Sequence, residues 1–243
     1  NDRLINAATF NTRSAANKSV SNVELISVNK LDLLALTEVW QQSSDDVTLT
    51  RLIPPEYRCI DAARNKKKSD GSTKRGGGIA LIYRTSFKAK PIKFSIEPTT
   101  FEVIGANIAY GIANVVFIVV YRTGVINELF YHEFTTILET IAVYSCHICI
   151  SGDLNIHVND SKDINAIKFL EILDSFGLTQ SVQGSTHIKG HTLDLVITRS
   201  DHPPPVIRVE LPQLTDHSVV HFQLPLERQP IHFVEINTRA WKG

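Results

Sequence analysis

The chain has 243 residues, 25 basic and 25 acidic, and is 43% hydrophobic with 8% aromatic. That composition supports a substantial buried core and excludes an intrinsically disordered chain. The longest apolar runs, such as residues 115–120, fall far short of the roughly 20 residues needed to span a membrane.

In chain order, strand-like runs rich in Val, Ile and aromatic residues occupy residues 4–10, 31–37, 78–83, 101–109, 114–121, 146–152, 192–198 and 218–224. They are bounded by Gly, Pro, Asn or Asp, and Tyr110-Gly111-Ile112-Ala113 between two of them predicts a hairpin turn. Helical patterning is weak over residues 17–29 and clear from Asn127, a capping residue followed by Phe130, Phe134, Ile137, Leu138 and Ile141 on one face. A further helix is expected from about Ser161, presenting Ile167, Leu170, Leu173 and Phe176 and ended by Gly177. Many strands with few helices between them predict sheets packed face to face with helices outside. With no internal repeat or linker before residue 225, one domain over residues 1–226 is expected, followed by a tail or linker over 227–243.

Net charge conceals distribution. Arg64, Lys66, Lys67, Lys68, Lys74 and Arg75 face a single acid, Asp70, across one polar stretch. Such a stretch reads as a solvated loop or as a contact to a phosphate backbone. Cys146 and Cys149 form a CxxC inside an apolar run, which points to buried core thiols and a reducing compartment rather than to a metal or redox pair. The amino end carries no secretory-signal pattern, and the absence of methionine leads us to expect a piece of a longer polypeptide.

The chemistry-bearing residues fall at strand ends. Ser151-Gly152-Asp153-Leu154-Asn155 follows an apolar run, so a carboxylate and a carboxamide emerge together. Asp153 is suited to moving a proton or holding a metal, and the Asn155 amide to donating to a developing oxyanion. Taken singly, the segment also reads as an ordinary Asx turn. Glu38 ends the run LDLLALTE, and an unpaired buried carboxylate is costly, so it either reaches solvent or binds a hard cation. His217 follows Asp216, but adjacent side chains diverge, which makes Asp194 the expected partner of the imidazole. A histidine so held becomes a phosphate-binding cation or a general base. Asn11 and Tyr121 end two further strands. Each residue has an unremarkable structural reading; their recurrence at five strand ends does not.

That order resembles the endonuclease/exonuclease/phosphatase superfamily from about residue 4 to 224. Within it the chain is similar to the apurinic-type endonuclease domain of LINE (non-LTR) retrotransposons. The likeness lies in Asn11-Thr12-Arg13-Ser14 with Asn17-Lys18, Leu34-Ala35-Leu36-Thr37-Glu38-Val39-Trp40, Arg75-Gly76-Gly77-Gly78-Ile79-Ala80 and Gly190-His191-Thr192-Leu193-Asp194-Leu195-Val196-Ile197. The tail through Trp241 is similar to the segment leading on to a reverse transcriptase.

The resemblance implies an α/β fold: a four-layer α/β/β/α sandwich of two packed, mainly antiparallel or mixed sheets. It implies that Glu38, with Asn11 and Asp216, holds Mg²⁺, for which Mn²⁺ would substitute. Asp153 and Asn155 would handle the nucleophile or leaving oxygen, Tyr121 would donate to the phosphate, and Thr186 would steady the site. Asp194 and Asp216 would orient His217 or the metal, and His217 would bind the scissile phosphate or act as base. Arg13, Lys74, Arg75, Arg122, His187, Lys189 and His191 are the expected nucleic-acid contacts. Thr215 stands where Ser is common, keeping the hydroxyl, and Arg13 stands where some members carry a further Asn or Asp.

The implied activity is nicking of one strand of double-stranded DNA to leave a 3′-hydroxyl that primes reverse transcription of a LINE element. A monomer is favoured, fused to a reverse transcriptase, intracellular, nuclear when acting on chromosomal DNA and without a membrane partner. The alternatives are a repair endonuclease for abasic sites, another phosphodiesterase or phosphatase of the superfamily, or a DNA-binding module without catalysis. The short hairpin Thr186-His187-Ile188-Lys189-Gly190-His191 is expected to give shape and backbone readout with loose target preference.

Overall fold

A computed structural model describes residues 3–15, 19–41, 47–64 and 76–226. The expected tail, residues 227–243, and Lys74 and Arg75 of the basic stretch lie outside the described residues. In chain order the elements are β1 (Arg3–Asn11), α1 (Ser19–Val28), β2 (Leu33–Thr37), α2 (Val47–Thr50), β3 (Tyr57–Ala62), β4 (Ile79–Arg84), β5 (Lys88–Pro91), β6 (Phe101–Tyr110), β7 (Ala113–Arg122), α3 (Glu128–Ala142), β8 (His147–Asp153), α4 (Ile164–Ser175), β9 (Leu178–Gln180), β10 (Asp194–Arg199), β11 (Val206–Val209) and β12 (Val220–Leu226).

The strands form two six-stranded mixed sheets, ordered β11-β12-β1-β2-β4-β3 and β5-β6-β7-β8-β10-β9. Each sheet is built around one parallel pair, β1 with β2 and β7 with β8, while the other neighbours run antiparallel. A parallel pair needs a crossover, and α1 and α3 supply it in the two sheets.

Period-two alternation makes the layers. Along β7, Val115, Phe117, Val119 and Tyr121 face the core between the sheets, while Val116, Ile118 and Val120 pack on α3 and α4. On the other sheet Ile5 and Ala7 face inward, and Ala8 and Phe10 pack outward with Leu25 and Ile26 of α1. The result is the expected four-layer sandwich. Among the described residues no helix is long and apolar enough to cross a membrane.

Asn127 caps α3, its side chain accepting from the Phe130 N–H, and the helix buries Phe130, Phe134, Ile137, Leu138 and Ile141 as its periodicity requires. The buried face of α4 differs from expectation. The helix is capped by Asp163 and buries Ala166, Phe169 and Leu173, leaving Ile167 and Leu170 exposed. Two stripes share the helical period here. The one that carries Phe169 faces the core, its ring centroid lying 5.3 Å from that of Phe134.

Cys149 faces the core between the sheets and Cys146 the helix side, so the two thiols point to opposite faces and both are free. Burial pushes both thiols up, which fits inert core residues.

The parallel pairs also decide where strand ends meet. β1 and β2 finish level, with Asn11 opposite Thr37, and β7 and β8 finish level, with Tyr121 opposite Asp153. β10 and β12 run the other way, so their beginnings lie where β8 and β1 end, with Asp194 opposite Asp153 and Val220 opposite Thr9.

Candidate active site

Gly152 adopts φ 138°, and a Cβ there would meet the Val120 carbonyl oxygen on β7 at 2.0 Å. Glycine therefore lets β8 lie close against β7 and bring Asp153 level with Tyr121. Asp153 is 1% exposed. Its Oδ1 accepts from the Asn155 backbone N–H at 3.0 Å and its Oδ2 from Asn11 Nδ2 at 2.8 Å. Complete burial, followed by the neighbouring Asp194 charge, raises its carboxyl well above the usual range.

Asn155 turns the chain at φ 51°, and its carboxamide nitrogen donates to the Arg122 carbonyl at 2.7 Å. Arg122 itself requires a correction, because it is not a surface contact for nucleic acid. Alternation along β7 sends it to the helix side, where it is 2% exposed and its guanidinium donates to the carbonyls of Leu154, Asn155 and Gly124 at 2.6, 2.6 and 2.8 Å. It ties the end of β7 to the turn that carries Asn155.

Glu38 sits just beyond β2 at φ 53° and is half-buried. Its Oε1 accepts from Asn11 Nδ2 at 3.0 Å and from the Tyr121 hydroxyl at 2.9 Å, and its Oε2 from Trp40 Nε1 at 3.2 Å. Asn11 thus bridges two carboxylates with one amide nitrogen. The Tyr121 phenol is pushed up by burial and then by Glu38, so it stays protonated.

The Gly76-Gly77-Gly78 run explains how Glu38 is placed. All three glycines have φ between 76° and 84°. The carbonyls of Gly78 and Gly77 accept from the Val39 and Trp40 N–H groups at 3.1 and 2.8 Å. A Cβ on Gly77 would strike Arg64 and Glu102, whose side chains pair directly beside it. Arg64 also lies over the Tyr121 ring, 5.2 Å from its centroid. The sequence names Trp40 only within the stretch ending in Glu38-Val39-Trp40, Arg64 only as part of the basic run and Glu102 not at all. Arg64 is paired with Glu102 rather than free in a solvated loop, and only the glycine run signals that something presses against that backbone.

At the start of β10 and β12, His217 Nδ1 lies 2.8 Å from Asp194 Oδ2, the expected pairing, and His217 Nε2 lies 3.9 Å from Asp153 Oδ2. Burial opposes the imidazolium, but the hydrogen bond and charge of Asp194, with Asp153 and Asp216 beyond, raise His217 to about 9. Thr186 Oγ1 accepts from the Leu193 and Asp194 N–H groups at 2.9 and 3.0 Å, fixing where β10 begins. Thr215 keeps a hydroxyl at its position: Oγ1 donates to the Asn11 carbonyl at 3.1 Å and accepts from the His217 N–H at 2.9 Å. Asp216 pairs through Oδ2 with Arg13 at 3.0 Å and His187 at 3.1 Å, while its charge still adds to the field that raises His217.

Of the remaining expected contacts, Arg13 and Lys189 are exposed and His187 is buried. His191 is half-buried and stacked on His157 with centroids 3.9 Å apart.

The donor set suits a hard cation. It is rich in carboxylate oxygen, with Glu38 oriented by three donors. Asp194 Oδ1 and Asp216 Oδ1 are buried without a hydrogen-bond partner, an arrangement a cation would satisfy. Asp153, Asp194 and His217 offer ligand atoms within 4.8 Å of one another, as do His187, Asp216 and His217. One buried cluster therefore combines carboxylates, a cationic imidazole, a neutral phenol and bridging amides, the means to bind a phosphoester and move a proton at it.

The comparisons agree with that chemistry. The Endonuclease/Exonuclease/phosphatase family matches over residues 8–217. No curated protein matches by sequence. Among solved structures, the endonuclease domain of TRAS1, a telomere-specific non-LTR retrotransposon, superposes with TM-score 0.68 at 11% identity, covering 92% of this chain and 99% of that one. The 3′ phosphatase NExo from Neisseria, bound to a product DNA hairpin, gives 0.65 at 17% identity over 90% and 98% of the two chains. An AP endonuclease from Archaeoglobus fulgidus gives 0.64 at 16% identity over 90% and 98%. At these identities the likeness is one of fold. With the family match running from β1 to His217 and through every strand end that carries the cluster, the chain belongs to the endonuclease/exonuclease/phosphatase family of phosphoester-cleaving enzymes.

Proposed function

We propose that the chain is a Mg²⁺-dependent endonuclease domain of a LINE element, which nicks one strand of double-stranded DNA and leaves a 3′-hydroxyl. The carrying observation is the line Asp194–His217–Asp153–Asn11–Glu38, in which a buried carboxylate lies between a cationic imidazole and an amide that also reaches Glu38. The RGGG and HTLDLVIT stretches and the fold shared with the TRAS1 domain support the LINE assignment.

His217, cationic through Asp194, draws a non-bridging phosphate oxygen to Nε2. Asp153, whose raised pKa suits it to the task, takes the proton of the attacking water. Water oxygen joins phosphorus, the bond from phosphorus to the 3′ oxygen breaks, and the departing oxygen takes a proton from solvent water. Asp153 releases the proton it accepted back to solvent, so that no proton is gained or lost overall. The products are a 3′-hydroxyl and a 5′-phosphate. The second hydrogen of Asn155 Nδ2, and the neutral Tyr121 phenol on turning from Glu38 Oε1, donate to charge that develops on the phosphate. Mg²⁺, with Mn²⁺ as substitute, supplies positive charge for the transferred phosphate and the departing oxygen; Glu38, Asn11 and Asp216 would hold it.

Arg13 and Lys189 on the described surface, with Lys74 and Arg75 of the basic stretch, are the residues we assign to the phosphate backbone. In the LINE reading the domain is monomeric, is fused to a reverse transcriptase and acts in the nucleus.

The test compares intact duplex, duplex with one abasic site and duplex with a 3′-phosphate end, each with Mg²⁺. Cleavage of intact duplex at many loosely related positions supports the reading. Turnover confined to the abasic or 3′-phosphate substrate contradicts it in favour of a repair enzyme.

A further inference from the structure

We infer that His187 is a positioning residue, whose Nε2–H holds the Asp216 carboxylate while its ring walls His217, so that the hairpin at residues 186–191 sets the geometry of the site. The inference rests on the proposed nuclease activity and assigns this site a residue held by the hairpin.

His187 lies at the base of the hairpin, and the backbone knits it to the histidine-bearing segment. The Ile188 N–H donates to the Asp216 carbonyl at 2.9 Å and the Ser218 N–H to the Thr186 carbonyl at 2.7 Å, while His187 and His217 form a bridge. The side chain repeats the link. His187 Nδ1 accepts from the Lys189 N–H at 3.2 Å, so in the neutral ring the proton sits on Nε2, where it donates to Asp216 Oδ2 at 3.1 Å. The same tautomer removes His187 from metal ligation through Nε2, although His187, Asp216 and His217 come close enough together to suggest it. Arg13 and His187 both engage Oδ2, and Oδ1 of Asp216 is left buried without a hydrogen-bond partner. One oxygen of the carboxylate is therefore committed and the other left available. The His187 ring meets that of His217 edge-on, with centroids 4.8 Å apart and planes at 75°, which restricts how the imidazole can swing from its Asp194 partner. The exposed tip, with Lys189 and Gly190, thus connects to the site through the Lys189 N–H.

The test uses the full chain and two substitutions. His187→Phe keeps an aromatic wall and deletes the donor; His187→Gln restores an N–H at the reach of Nε2. For His187→Phe the inference expects kcat to fall about 10–100-fold and Mn²⁺ binding, read by electron paramagnetic resonance without DNA, to weaken similarly. KM for DNA should stay within about twofold, and His187→Gln should recover most of both losses. Unchanged kcat and Mn²⁺ binding in His187→Phe overturns it, as does an effect on KM alone, which would mark a simple DNA contact. Nitrogen NMR of the wild-type ring is the check that needs no variant: a protonated Nε2 and bare Nδ1 support the inference, and the reverse tautomer overturns it. If the wild-type chain cleaves no DNA, the proposed function fails while the Mn²⁺ and tautomer measurements still decide the role of His187.

Discussion

His217 Nδ1 and Asp194 Oδ2 lie 2.8 Å apart in a buried pair that aims the other ring nitrogen at Asp153. The pair decides the charge of the imidazole, since burial alone would make it neutral. With a folded value of about 9 against an ordinary 6.5, His217 contributes stability that is complete below about pH 6.5 and lost as pH rises through 9. Asp194→Asn keeps the shape and deletes the charge. The basic limb of the pH–rate profile should therefore move to lower pH. Urea unfolding should show wild type losing its advantage over the variant between near-neutral and strongly alkaline buffer. An unmoved basic limb would detach Asp194 from the charge of His217.

Arg122 gives a contrast between structure and surface. Of its three carbonyl partners Leu154 is buried, Asn155 half-buried and Gly124 exposed, so Arg122→Leu should cost on the order of 1–3 kcal/mol, chiefly for the Leu154 carbonyl left buried without a partner. The variant should unfold at lower denaturant, while the salt dependence of DNA binding by its folded fraction keeps the wild-type slope. A reduced slope would return Arg122 to the phosphate contacts.

Gly152 tests the approach of β8 to β7. Neither the 2.0 Å contact with the Val120 carbonyl nor the φ of 138° can be relieved by a side-chain rotation. Gly152→Ala should cost ~3 kcal/mol or more, read by chemical denaturation. A small cost would mean that the two strands separate freely there.

Asn11 holds Glu38 and Asp153 through one nitrogen. Asn11→Asp would place a third carboxylate between them, and like charges raise the folded pKa values. The penalty should be small below the unfolded carboxylate values near about pH 4 and grow as pH rises, reaching ~1–3 kcal/mol in mildly alkaline buffer. Added divalent cation should offset it. Equal stability at both ends of that range would show that Asn11 does not mediate between the carboxylates.

The long central strands were legible because burial on both faces or strict alternation leaves continuous Val, Ile and aromatic runs, as in β7 and β8. β3, β5, β9 and β11 were not. β3, β5 and β9 lie on sheet edges and β11 at the edge beside β12; their residues are largely half-buried or exposed, and three of the four are only three or four residues long. Pairing with a neighbour, which sequence does not display, makes them strands. The same division runs through the site. Asp153, Glu38 and His217 announce themselves by emerging at the ends of apolar runs. The His187–Asp216 pair, the Arg64–Glu102 pair and the inward turn of Arg122 depend on which residues lie opposite across sheets and loops. On α4 the sequence carries two apolar stripes that share Leu173, and the one that faces the core is the one whose Phe169 packs on Phe134, a contact the periodicity alone does not display.

The most direct test of the central claim is to incubate supercoiled plasmid with the chain and Mg²⁺, then offer the product to a DNA polymerase that extends only from a 3′-hydroxyl. The expected product is open circles, one break in one strand of each, that extend without prior end repair, and no such product forms with Asp153→Ala, which remains folded. Nicking that survives Asp153→Ala, or ends that extend only after a 3′ phosphatase has acted, would contradict it.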